Sequence, residues 1–305
     1  MVKRANRRRV DGILLLDKAV AVSSNRALQQ MKHLFQARKA GHTGSLDPLA
    51  SGLLPICFGE ATKISGFLLN ADKRYQVVCR LGVTTDSGDA DGEIRQRRPV
   101  PELERGRIEQ ALAALRGPIL QVPPMVSALK HQGQRLYKLA RQGIEVERPP
   151  RAVTVHQLRL ESRPEPDCLA LSVHCSKGTY VRSLVESIGE DLGCGAHVIA
   201  LRRTALGPFA GESMVTADAM QVLAARGGLA ALDRQLLPVE QGLAGWPDVH
   251  LAEEAAHFLV QGQAVWTPGL PEPGLVRVFG PTDFLGMGRV GEDGRLQPHR
   301  LMRTD

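Results

Sequence analysis

The stretch with the most chemical potential in this chain is Gly41-His42-Thr43-Gly44-Ser45-Leu46-Asp47-Pro48-Leu49-Ala50-Ser51-Gly52. Its glycines permit tight turns and close approach of backbone to a ligand. Pro48 biases Asp47 towards an extended conformation, which puts one carboxylate on a stiff loop. An aspartate in a glycine-rich loop is most often a turn former, so the chemistry has to be narrowed by elimination. A phosphate-cradling P-loop ends in Gly-Lys-Ser/Thr, whereas Gly44 is followed by Ser45-Leu46. Paired-carboxylate proteolysis needs two Asp-Thr/Ser-Gly loops. Asp86-Ser87-Gly88 has no partner, because His42 stands where the second aspartate belongs. A calcium loop opening at Ser87 requires Glu at its twelfth position, which is Arg98. The cysteines Cys57, Cys79, Cys168, Cys175 and Cys194 are odd in number and irregularly spaced, which indicates neither a disulfide framework nor a zinc knuckle. They read as reduced thiols in a cytoplasm.

Charge suggests what such a loop would meet. The chain carries 39 Lys and Arg against 32 Asp and Glu, so an anionic partner is expected, with nucleic acid ahead of a membrane surface. Residues 1–40 hold ten of those cations against only Asp11 and Asp17. A second basic stretch carries Lys130, Arg135, Lys138, Arg141, Arg148 and Arg151 against Glu145 and Glu147. A polyanion would lie against these two segments, although Lys3–Arg9 alone reads equally well as a solvated tail. No apolar run approaches the ~20 residues of a membrane span. Ile13–Leu16 is closed by Asp17 and Lys18, too short for a signal-peptide core. A cytosolic protein is expected.

The elements that must hold the loop can be sketched from periodicity. Ser23 or Ser24 caps a helix through Ala27, Leu28, Met31, Leu34 and Phe35. Residues 60–70 read as a second helix. From Lys73 the period changes to two, with Tyr75, Val77, Cys79 and Leu81 on the covered face of a strand. Asp86–Gly92 is a turn-rich connection, and 102–116 is helical. Prolines 118, 123 and 124 then interrupt, and the basic excursion runs to Pro149-Pro150. Strands follow at 153–160 and 169–175. A helix through Val181, Leu184, Val185, Ile188 and Leu192 ends at Gly193. Near residue 245 the character shifts to short strands at 275–279, 284–290 and 296–302, with Asp293-Gly294 as a hairpin signal. At 305 residues two domains are expected, 1–245 and 246–305. The irregular mixture of elements favours an α+β body over a doubly wound sheet.

Six segments together resemble a known family. GILLLDK at 12–18, GHTGSLDPLASGLLPICFGE at 41–60, DKRY at 72–75, SALKHQGQRLYKLARQGI at 127–144, HCSKGTYVR at 174–182 and CGAHVIALRR at 194–203 are similar to the bacterial tRNA pseudouridine-55 synthases, in order and spacing. The resemblance implies a pseudouridine synthase fold, with a mixed, largely antiparallel sheet flanked by helices and a small β-barrel-like PUA domain at the C-terminus. It implies isomerisation of the uridine at position 55 in the T loop of tRNA: the N1–C1′ bond breaks, the uracil turns, and C5 bonds to C1′. No redox change or group donor is involved, so neither cofactor nor metal is expected.

The same resemblance distributes roles. Asp47 matches the family's catalytic aspartate, acting on C1′, on C6 or as a base on the sugar. Arg182, in the first turn of its helix, opposes the helix dipole and is best understood facing that carboxylate and keeping its pKa low. Tyr75 becomes the ring stacking on the uracil, with its hydroxyl a candidate proton acceptor. Tyr180 and Leu201 contact the base, His42 assists RNA remodelling, and Lys18 lies near the site. Taken as bare residues, Tyr75, Tyr180 and Leu201 would be core, Arg182 exposed, Lys18 a surface lysine and His42 a structural hydrogen bonder. The 125–150 excursion becomes an RNA-binding thumb whose Lys130, Arg135, Lys138 and Arg141 suit phosphates, and with few buried anchors it would be poorly ordered without RNA. The implied partner is the tRNA T arm, without guide RNA or membrane, and the protein a monomer. Two departures stand out. The family's Lys-Pro-x-Gly is here Lys18-Ala19-Val20-Ala21, which puts the shape of that loop and the placement of Lys18 in question, and Val126 replaces a frequent aromatic. A non-catalytic RNA-binding protein, or a synthase aimed at another uridine, uses the same basic surfaces.

Overall fold

The computed structural model describes residues 7–303. Lys3 and Arg4 of the basic N-terminal run lie outside them, while Arg8 is tied down by two 2.6 Å bonds from its guanidinium to Asp233.

A ten-stranded mixed sheet organises the body. Its main path runs Val215–Thr216, Gly12–Lys18, Ser51–Phe58, Ala196–Leu206, Lys73–Leu81, Cys168–Cys175, Arg151–Ser162, Gly117–Gln121. All pairings on this path are antiparallel except the first and the contact of Ser51–Phe58 with Ala196–Leu206. That parallel contact spans only Arg202–Ser51 and Arg203–Gly52, so the two strands diverge where the Asp47 loop enters.

Both faces of the sheet are covered along Gly12–Lys18 and Ser51–Phe58. Along Gly12–Lys18 the period-two alternation divides one apolar run between two cores: Leu14 and Leu16 join the large core, and Ile13 and Leu15 the second. Helices Ser24–Leu34, Arg105–Ala113 and Val181–Asp191 bury Met31, Ile108 and Ile188 in the large core. The expected single helix at 60–70 is instead a 3₁₀ turn, Gly59–Lys63, followed by the α-helix Ser65–Asn70. Thr62 Oγ1 donates to Gly59 O at 2.7 Å and Ser65 Oγ to Thr62 O at 2.8 Å, local bonds that compete with a continuous α-helix. The strands Ser51–Phe58 and Ala196–Leu206 and the helical segment Ala217–Asp233, broken at Gly228 (φ 61°), add to the elements expected from periodicity.

The thumb segment holds a two-residue hairpin, Lys130–His131 against Gln134–Arg135, turned by Gln132 (φ 48°) and Gly133 (φ 84°), then the helix Leu136–Ala140. Leu136 and Leu139 are buried, so the expectation of few anchors does not hold. Beyond residue 246, Asp248–His250, Gly274–Phe279, Phe284–Val290 and Leu296–Leu301 form a four-stranded sheet with the helix Glu253–Val260. Met287 from this sheet and Met302 just past its last strand complete the second core beside Ile13, Leu53 and Leu243.

Candidate active site

The loop carrying Asp47 is clamped from several sides. Ser23 takes the cap of the first helix by accepting from Arg26 N, which frees Ser24 for another task. The buried Ser24 hydroxyl donates to Leu46 O at 3.0 Å and accepts from Leu46 N–H at 2.7 Å. Ala21 N–H donates to Pro48 O at 2.8 Å. Leu46 and Ala50 sink into the large core on either side of the aspartate. At the far end Gly52 (φ 99°) meets the Arg203 backbone so closely that a Cβ would sit 2.3 Å from its carbonyl oxygen. Only glycine fits there.

Arg182 Nη2 lies 3.0 Å from Asp47 Oδ2. With 3% of its side chain exposed, Arg182 also donates to Ser87 O at 2.7 Å and Val126 O at 2.8 Å, and faces Asp89 Oδ2 at 3.5 Å. The arginine therefore joins the aspartate loop, the acidic turn and the root of the thumb. Because it uses the carbonyl of Val126, this contact is indifferent to the missing aromatic side chain.

The expectation that Arg182 holds Asp47's pKa low requires correction. Although 43% of its side chain is exposed to solvent, protein encloses the carboxylate on the remaining sides, and this burial pushes its pKa above the ordinary value. Arg182 and Lys18 pull it down, Asp89 and Asp91 push it up, and the net direction is upward. One arginine shared between two carboxylates does not offset the loss of water. Asp89 is the neighbour that sequence reading left unassigned: its Oδ1 accepts from Ser87 Oγ at 2.5 Å and from Asp91 N–H at 3.2 Å.

Lys18 is buried, with 1% exposed, contrary to a surface reading. Its ammonium donates to Ala19 O at 2.8 Å and Val22 O at 2.7 Å, with Pro48 O at 3.5 Å. Burial and the nearby Arg203 lower its pKa to about 8, against the opposing pull of Asp47. The altered loop keeps a tight turn at a backbone cost, with Ala21 at φ 60° where the family has glycine.

Tyr75 rises from the strand Lys73–Leu81 into the same site. Burial raises its pKa, with Arg203 pulling down and Cys175 and Asp47 pushing up, so it is a neutral phenol and a weak proton acceptor. His42, on Ala40–His42, is held neutral by burial and by Arg203, and its buried Nδ1 has no hydrogen-bond partner among the described residues. Tyr180 caps Val181–Asp191. Its backbone is locked by Gln121, whose Oε1 accepts from Tyr180 N–H at 2.7 Å while Nε2 donates to Tyr180 O at 3.0 Å. Burial raises the Tyr180 phenol as well, against Ser127 and Arg182. Leu201 is 9% exposed and pairs with Val77 across the strands.

Arg203 was not singled out from the sequence, though it ends the CGAHVIALRR block. It is 1% exposed and donates to Leu53 O at 2.7 Å and Gly44 O at 3.1 Å. A buried cation bracing both ends of the aspartate loop and depressing the pKa values of Lys18 and His42 is an electrostatic centre of the site. By contrast, Lys130, Arg135, Lys138 and Arg141 are exposed, and none is in an ion pair among the described residues. Arg141 lies over the Tyr137 ring at 5.8 Å.

Fold and site together define a pseudouridine synthase architecture around a single clamped aspartate. The matches with known proteins follow the same lines. Residues 32–181 match the description "TruB family pseudouridylate synthase (N terminal domain)", residues 182–244 "tRNA pseudouridylate synthase B C-terminal domain", and residues 247–302 "Pseudouridine synthase II TruB, C-terminal". A protein of Nitrosococcus oceani named tRNA pseudouridine synthase B is 58% identical over 96% of this chain and 95% of its own length. A Pseudomonas aeruginosa protein of the same name is 54% identical over 99% of both chains. The solved structure described as a Cbf5-Nop10-Gar1 complex aligns with a TM-score of 0.71 at 26% identity, covering 92% of this chain and 78% of that one. A second, an H/ACA RNP bound to a substrate RNA containing 2′-deoxyuridine, shares the fold at 22% identity and a TM-score of 0.73, covering 96% and 85%. The chain belongs to the TruB family of pseudouridylate synthases.

Proposed function

We propose that this protein isomerises uridine 55 in the T loop of tRNA to pseudouridine without a cofactor. The observation carrying this reading is the Asp47 carboxylate, open on one side to solvent and gripped on the other by a buried arginine. A pure RNA binder has no use for a carboxylate held towards a polyanion. The target nucleotide must leave its stack to reach Asp47, at a cost of a few kcal/mol. The neutral imidazole of His42 suits a ring occupying the space the base vacates. Tyr75 stacks on the uracil, and Tyr180 and Leu201 bound the pocket. Asp47 acts in its ionised form as nucleophile or base, and the buried cations Arg182, Lys18 and Arg203 counter the negative charge that gathers as the glycosidic bond breaks. The product is an isomer: N1 leaves C1′, C5 bonds to C1′, and the C5 proton is lost as N1 gains one. Any proton acceptance by Tyr75 uses a neutral oxygen, so stacking is the stronger part of its role.

The exposed thumb cations contact T-arm phosphates, and the C-terminal sheet acts as a PUA-like RNA-binding domain whose mildly acidic balance allows it few phosphate contacts. The protein works as a monomer on an isolated T-arm hairpin, with no guide RNA. Tritium release from [5-³H]uridine tRNA tests the reading. Wild type releases tritium and Asp47→Ala does not; equal release by the two would remove the enzymatic assignment.

A further inference from the structure

Away from Asp47, three donors converge on the outward face of the sheet. Asp72 Oδ2 lies 3.1 Å from His156 Nε2 and 3.8 Å from His174 Nε2, and the three donor atoms all fall within 4.8 Å of one another. Metal–ligand bonds of about 2.0–2.2 Å in a tetrahedral site require donors about 3.3 Å apart, and the two distances to Asp72 bracket that value. The residues come from adjoining parts of the sheet: Asp72 just before Lys73–Leu81, His174 in Cys168–Cys175 and His156 in Arg151–Ser162. His156 owes its position to a register shift between Val155 and Gln157, a bulge that leaves both His156 and Gln157 on the face away from the buried Val155 and Leu158. Bulges of this kind re-aim side chains.

We propose that Asp72, His156 and His174 form a surface site for a first-row divalent ion that favours imidazole, Zn²⁺ in particular, with the remaining coordination position open to water. Two nitrogen donors and one carboxylate on hydrogen-bonded strands match the ligand types and number of an open zinc site. Arg74 and Lys73 bring positive charge nearby and weaken binding of a dication without blocking a donor. The other cluster of comparable composition, Glu165, Asp167 and Cys168, is already engaged by Arg80, at 3.1 Å from Glu165 and 3.3 Å from Asp167. The sequence shows no zinc signature here because the donors are separated by 84 and 18 residues.

The site is independent of the proposed isomerase activity and is tested without RNA. Metal-free full-length protein is titrated with ZnCl₂ by calorimetry and with CoCl₂ by visible absorption. One equivalent is expected, with a Co²⁺ d–d band, and a rise in melting temperature with Zn²⁺. His156→Ala, His174→Ala and Asp72→Asn should each weaken binding about tenfold or more, while His257→Ala, elsewhere on the surface, leaves it unchanged. Should one variant fold poorly, the conservative His156→Gln and His174→Gln take its place. A wild-type protein that takes up no metal at millimolar Co²⁺ overturns the site, as does binding that survives in the His156→Ala/His174→Ala protein.

Discussion

The proposed role of Asp47 comes with a stability cost. Its folded-state pKa is raised, so the native state binds the proton more tightly than the unfolded chain. Its contribution is fully favourable below the unfolded value near 3.9 and is lost as pH rises through the folded value. Asp47→Asn removes this dependence. The stability of wild type relative to Asp47→Asn should therefore fall as pH rises above about 4, measured by urea unfolding, while the variant's tritium release drops by about 10³-fold or more. The acid limb of the wild-type pH–rate profile should lie above the usual aspartate range. Ala21 offers a test of opposite kind. A non-glycine residue at φ 60° stores about 1–2 kcal/mol, and glycine returns about 0.5–1 kcal/mol through unfolded-state entropy. Ala21→Gly should raise stability by up to about 1.5 kcal/mol with the loop on Pro48 retained, read as an increase in melting temperature. Arg203 is the more fragile position. Arg203→Ala strands the carbonyls of Leu53 and Gly44 and should cost about 3 kcal/mol, with Arg203→Lys intermediate because one ammonium cannot span both acceptors.

The elements divide into those that hold the site and one, the thumb, that is proposed to meet the substrate. The short parallel contact between Ser51–Phe58 and Ala196–Leu206 opens the sheet and lets Arg203 reach across to the aspartate loop. Val181–Asp191 presents Arg182 from its first turn, where the helix dipole disfavours a cation, and four acceptors compensate. The thumb has its apolar side anchored by Leu136 and Leu139 and exposes Lys130, Arg135, Lys138 and Arg141. Replacing Lys130, Arg135, Lys138 and Arg141 by alanine should raise KM with kcat nearly unchanged. The slope of log K against log salt should fall by about 3, at roughly 0.7–0.9 per phosphate contact. Steady-state kinetics across a salt series measures both, and an unchanged slope would free these residues from any role in RNA binding.

Across the whole molecule, the C-terminal sheet and the body share a core. Met287 is buried beside residues of the first strand, and Lys63 donates to Leu301 O at 2.8 Å. Unfolding should be one cooperative transition by calorimetry. Met287→Ala should lower the stability of the whole protein by about 2–5 kcal/mol rather than release a separate domain. Two resolved transitions would contradict a shared core.

What could be read in the chain alone was whatever depends on neighbours in sequence. The alternation from Lys73 to Leu81, the apolar face and terminal glycine of Val181–Asp191 and the turn chemistry near residue 293 all follow from local sterics and one-sided burial. The dense Gly41–Gly52 block drew attention to Asp47 for the same reason. Tertiary structure decided the rest, because it depends on distance in space and on the loss of water. Fully buried strands such as Ser51–Phe58 carry no alternation to betray them. Lys18 and Arg182 look like surface cations until the carbonyls that receive them are placed. Ser24, Gln121, Asp89 and Arg203 acquire their tasks only from partners 22 to 159 residues away. The direction of the Asp47 pKa shift was misjudged from sequence because an attractive pair can be guessed, whereas the desolvation opposing it is set by everything else the fold packs around the carboxylate.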